Sequence, residues 1–131
     1  MDKIEQLKVK FRQDLFELTG EDYKVTIISL RQENLKLSKI IDLVSEYYGI
    51  TRKLLTAKVR KEVFITRRYI CFKIITNECR SIIYADIGRA FNMKHSSIIA
   101  ALDKFDDFYK NEPKFLEQYQ NVNKFVLENL K

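Results

Sequence analysis

One stretch of this 131-residue chain is chemically lopsided. Between Arg52 and Lys73 stand eight basic residues, Arg52, Lys53, Lys58, Arg60, Lys61, Arg67, Arg68 and Lys73, and a single acid, Glu62. The stretch carries +7 against a net charge of +6, so the remainder of the chain sums to −1. Charge spread over a surface aids solubility, whereas an excess confined to one segment calls for a polyanionic partner. Taken alone, Lys58, Arg60 and Lys61 can be a solvated loop, and Arg67 with Arg68 a solvated helix face. Together they suit one phosphate-neutralising surface. An acidic membrane surface fits less well, because the stretch lacks the continuous apolar face of an interfacial helix.

A second cluster is Lys94-His95-Ser96-Ser97. Serine at a helix start caps orphan backbone amides, and one serine suffices for that work. An imidazole, two hydroxyls and a lysine gathered at one helix start can also meet base edges and phosphates, and the free amides there attract phosphate. Both readings are open from the residues alone.

Other chemistries are poorly supplied. His95 is the one histidine, and its neighbours Lys94 and Ser96 offer no carboxylate for a serine triad. One histidine and two distant cysteines do not make a zinc site. No GxxxxGK stretch exists to cradle a nucleotide's phosphates. The chain is therefore expected to be no enzyme and to need no cofactor, metal or nucleotide. Cys71 and Cys79, eight apart in an apolar helical pattern, read as buried free thiols rather than a disulfide or metal pair. The opening Met1-Asp2-Lys3-Ile4-Glu5-Gln6 has no apolar h-region, and no run of 18 apolar residues occurs anywhere. A cytoplasmic, reducing location is expected.

The elements that must position these groups are helical. Three glycines and one proline leave long periodic stretches uninterrupted. Ile4, Leu7, Phe11, Leu15 and Leu18 form the stripe of an amphipathic helix that Gly20 can stop. Val25 to Leu30 reads as a short strand or a buried turn. A helix over 38–48 carries Leu37, Ile41, Val44 and Tyr48, and Gly49 ends it. Thr51 can cap a short helix through Leu55. Lys58 to Lys61 reads as a loop or a helix start, and 63–77 as a long helix with Arg67 and Arg68 near its beginning. Then 82–91, with Tyr84, Ile87 and Phe91 on one face, and a helix opening at His95 with Ile98, Leu102, Phe105 and Tyr109 inward, are joined by Asn92-Met93-Lys94. Two short helices joined by three residues form a helix-turn-helix pattern. Gly88 within the first of them costs about 1 kcal/mol against Ala, so it marks either a close helix approach or a kink. Pro113 suits the start of a last helix with Phe115, Tyr119, Val122, Val126 and Leu130.

The segment Ile87-Gly88-Arg89-Ala90-Phe91, then His95-Ser96-Ser97-Ile98 and Ala100-Ala101, resembles the signature of the C-terminal domain of the bacterial replication initiator DnaA. Upstream, Ile41, Val44, Tyr47-Tyr48, Ile50, Leu54-Leu55 and the basic run into Arg67 follow the family's order, so the similarity covers about 37–109. The resemblance implies an all-α, Trp-repressor-like helix-turn-helix domain that recognises a short duplex box. It implies that Lys58, Arg60 and Lys61 enter the minor groove, that Arg67 contacts bases, and that His95, Ser96 and Ser97 read the major groove. Two features depart from the family: its Arg-Asp before the histidine is Met93-Lys94 here, and its final threonine is Ser97. A donor in place of an acid points to a different box. The family's ATPase domain is absent from these residues.

The expected organisation is an N-terminal packing or dimerisation segment over 1–36, a DNA-binding domain over 37–110 and a C-terminal helix over 111–131. The expected function is sequence-specific binding of double-stranded DNA in replication or transcription. Expected contacts are Lys58, Arg60, Lys61, Arg67, Arg68, Lys94, His95, Ser96 and Ser97, with a homodimer formed through the N-terminal helix. The competing reading is a protein-interaction or structural module, in a phage assembly for instance, that reuses the same helical fold.

Overall fold

In the computed structural model, which describes residues 2–27 and 29–130, every regular element is an α-helix. In chain order they are α1 (Lys3–Thr19), α2 (Leu30–Tyr48), α3 (Arg52–Thr56), α4 (Glu62–Glu78), α5 (Tyr84–Phe91), α6 (His95–Asn111) and α7 (Pro113–Asn129).

Local chemistry sets most of the boundaries. The Asp2 carboxylate accepts from the Glu5 amide at 2.8 Å to open α1, and the Thr51 hydroxyl accepts from Leu54 N at 3.1 Å to open α3. Gly20 (φ 77°) and Gly49 (φ 66°) close α1 and α2 in the left-handed conformation that glycine adopts without strain. Pro113 takes the first position of α7.

The largest difference from expectation lies in α2, which starts at Leu30 rather than near residue 38 and crosses the expected boundary at 36/37. The Ser29 hydroxyl accepts from Gln32 N at 3.4 Å and starts it. The added turns are mostly exposed and so show no apolar stripe. Of the stretch expected as a strand or buried turn, residues 25–27 have no regular structure, and Ile28 lies outside the described residues.

The core sits where α2, α4, α6 and α7 meet, with α5 packed on α6. Phe72 and Phe91 meet edge to face at 4.6 Å, and Phe105 stands 5.3 Å from Phe115 and 4.9 Å from Tyr119. Thus α7 supplies Phe115, Val122 and Val126 to the same core as the helix-turn-helix. No residue of α1 is buried.

Candidate nucleic-acid interface

The turn between α5 and α6 is set by Gly88 and Asn92. Asn92 takes the left-handed conformation (φ 55°), and Met93 N donates to Gly88 O at 2.7 Å. A Cβ on Gly88 would overlap the Met93 carbonyl oxygen and lie 3.6 Å from the His95 amide nitrogen. Of the two readings of Gly88, close approach is therefore the one found. It seats α5 against the first turn of α6.

At the start of α6, Lys94 holds the N-cap position with no side-chain capping bond. The backbone closes the first turn instead, Ser97 N donating to Lys94 O at 3.0 Å. The Ser96 and Ser97 hydroxyls therefore do not cap the helix. They and the exposed His95 imidazole have no hydrogen-bond partner among the described residues, which leaves them available to a ligand.

The basic loop is brought to this helix end by Arg68. Its guanidinium donates from Nη1 to Ala57 O at 2.5 Å and from Nη2 to Val59 O at 2.7 Å. Arg68 is only 8% exposed, and burial lowers its pKa from the usual arginine value. Expected as a DNA contact, it is instead committed to the protein: a planar fork that ties the loop to α4. The tie places Lys58 and Arg60 beside Lys94 and Ser97, around a surface cleft of about 340 Å³ that Met93 also lines and no acid lines.

Arg67 does not line that cleft. It points to another side of α4, where its guanidinium carbon lies 4.4 Å from the centre of the Tyr48 ring and 5.5 Å from that of Phe64. Its Nε is buried without a partner. Tyr48 is itself locked, its hydroxyl accepting from Gln118 Nε2 at 2.6 Å, and burial pushes its pKa up to about 12. Lys61 is the exposed N-cap residue of α4. Two further cations of the basic stretch are also engaged. Arg52 bonds Ser38 Oγ at 2.7 Å and Asp42 at 3.1 Å, and Lys73 lies 5.6 Å over the Phe105 ring. Half of the eight basic residues between 52 and 73 thus hold the fold together.

Residues 37–105, more than half of the chain, match the family described as the bacterial dnaA protein helix-turn-helix. The chain belongs to that family. Over 83 residues it is 34% identical to the chromosomal replication initiator protein DnaA of Leptospira biflexa serovar Patoc, a match covering 63% of this chain and 19% of the relative. Over 97 residues it is 26% identical to the DnaA of Acinetobacter baylyi, covering 73% of this chain and 21% of the relative. This chain therefore spans about a fifth of the length of these relatives. A solved structure described as a DNA replication initiation factor superposes with a TM-score of 0.65 at 22% identity, covering 98% of this chain and 36% of that one, a likeness of fold.

In this DnaA-family helix-turn-helix the neighbouring surface adds two cations that the sequence reading missed. Arg89, with the neutral Asn92, joins Lys58 and Lys94 along one side of the cleft, and Lys104 joins Arg68 and Ser97 along the other. Lys104 had a readable signal, since positions 97, 101 and 104 lie on one face of α6. Arg89 had none beyond its charge, and it pairs with Asp86. Cys71 and Cys79 are free and buried, and burial raises both thiols, Cys79 to about 11. Among the described residues no helix is long and apolar enough to cross a membrane.

Proposed function

We propose that this chain is a sequence-specific double-stranded DNA-binding protein, acting in the cytoplasm in replication or transcription without enzymatic activity. The observation that carries this reading is the acid-free cleft that joins Lys58 and Arg60 to Lys94 and Ser97 at the start of α6. A groove reader needs cations that fix it on phosphates and short polar groups that reach base edges. Lys58, Arg60 and Lys61 are the phosphate anchors. His95, Ser96 and Ser97, unused by the fold, are the readers, with the second helix of the motif lying in the major groove. The name of the Leptospira and Acinetobacter relatives, chromosomal replication initiator protein, supports a replication-related duplex as the target.

Lys94 sets the specificity apart. A lysine donates, so it favours guanine O6 and N7, whereas the acid the family carries there accepts from cytosine. Selection of bound sites from a random duplex library tests the reading. Enrichment of one short box supports it, and an unenriched pool bound only through charge overturns its sequence-specific part.

A further inference from the structure

We propose that α1 pairs antiparallel with α1 of a second copy of this chain, about a two-fold axis passing beside Phe11. The helix is amphipathic yet unburied: Ile4, Leu7, Phe11 and Leu18 are 57%, 62%, 55% and 82% exposed. One side of it, next to the stripe, is already occupied. Residues 22–25 return along Lys8, Val9 and Arg12, and Arg12 grips the Asp22 carboxylate with two bonds of 2.7 and 2.6 Å. Val9 projects about 200° round the helix from Phe11, so this return segment lies off the apolar stripe, of which Leu15 alone is half-buried.

The stripe is its own complement. Its spacings, 3, 4, 4 and 3, read the same from either end. In an antiparallel pair Ile4 therefore meets the partner's Leu18, Leu7 meets the partner's Leu15, and Phe11 meets the partner's Phe11. The charges choose the direction. One flank of the stripe carries Lys3 and Lys10 in its first half and Asp14 and Glu17 in its second. Antiparallel pairing sets Lys3 against the partner's Glu17 and Lys10 against the partner's Asp14, each twice by symmetry. Parallel pairing would instead set this flank against the partner's other flank, where those ion pairs cannot form. On the other flank Lys8 is neutralised by Glu5 at 3.3 Å and Arg12 by Asp22. An isologous contact of this kind closes at two copies, so the assembly carries two helix-turn-helix units.

Sedimentation of the whole chain across a concentration series, without DNA, tests the pairing independently of the functional reading. The expected result is a shift from 15.7 kDa to twice that mass, abolished by Phe11→Asp while helicity and melting temperature stay unchanged. Disulfide trapping tests the register, Cys71 and Cys79 being buried and unable to compete. Phe11→Cys should oxidise to a covalent dimer. Ile4→Cys alone should not, because the two copies of residue 4 would stand about 21 Å apart, far beyond disulfide reach. A mixture of Ile4→Cys and Leu18→Cys chains should crosslink. A monomer at every concentration, a dimer indifferent to Phe11→Asp, or crosslinking of Ile4→Cys with itself each overturns the proposal.

Discussion

Arg67 and Arg68 are neighbours with the same charge, and the fold gives them different work. One step along a helix turns a side chain by about 100°. Arg68 therefore faces the 57–59 carbonyls, while Arg67 faces Tyr48. Charge placed both on one DNA-contacting face, and the resemblance made Arg67 a base contact; sequence carries the sign of a residue and not its direction. Arg68→Met should remove both loop bonds and strand two half-buried carbonyls. About 1–3 kcal/mol of stability should be lost, together with affinity for every duplex alike, since Lys58 and Arg60 lose their placement. Urea unfolding and binding to unrelated duplexes measure the two effects. Unchanged stability would mean that the fork does not hold the loop. The cleft residues divide differently. Lys58→Ala should weaken all duplexes about equally, because a phosphate contact carries no base information. His95→Ala and Ser97→Ala should leave the melting temperature unchanged, since neither side chain caps α6. Each should reduce discrimination for the selected box by about 1–3 kcal/mol. Equal affinity and selectivity in both variants would remove α6 from its role as reader.

Among the elements, those with an apolar stripe were legible, α1 included although none of it is buried, and turns without one were not. The helices over 62–78 and 95–111 each carry a strong inward row, Ile70 and Ile74 in one, Ile98 and Phe105 in the other. Their spans differ from expectation by a residue or two where expectation gave an end. The first turns of α2 bury almost nothing, so periodicity was silent there and Ser29 was the one available signal. Tyr109, expected inward, and Tyr84, expected on one face with Ile87 and Phe91, are each 43% exposed, as amphipathic rings at the edge of an apolar stripe can be. The cleft itself was legible only as two separate clusters, because the Arg68 bonds that unite them span nine and eleven residues. Gly88 was read correctly as a special position, and it yields a sharp prediction. By helix propensity alone Gly88→Ala should stabilise α5 by about 1 kcal/mol. The Met93 carbonyl oxygen is backbone and cannot swing aside, so the substitution should instead cost about 1–3 kcal/mol. It should also displace the start of α6. A thermal melt decides the sign, and a raised melting temperature would show that the α5–α6 approach is looser than described.

Over the whole molecule, the net charge of +6 overstates what one face offers a polyanion. Arg52, Arg67, Arg68 and Lys73 have partners within the protein, Arg52 at its surface. The candidate anchors with no internal partner are Lys58, Arg60, Lys94 and Lys104 around the cleft and Lys61, exposed at the start of α4, two of the five from outside the basic stretch. That revised set, not the sequence count, determines how binding responds to salt. Each phosphate neutralised releases condensed counterions, so five contacts predict a log–log slope of about −4 to −5 between low and moderate salt. Had all eight basic residues from 52 to 73 been engaged, the slope would approach −7. Titration of a monomeric Phe11→Asp chain with one labelled duplex at several salt concentrations separates the two, free of any second copy on the same DNA. A slope near −4.5 assigns binding to the cleft, one near −7 restores the internally paired cations to the interface, and one near zero removes phosphate anchoring from the mechanism. Lys61→Ala and Lys104→Ala should then each flatten the slope by about 0.9, and their double variant by twice that, because the two residues stand on different helices, α4 and α6, and share no partner.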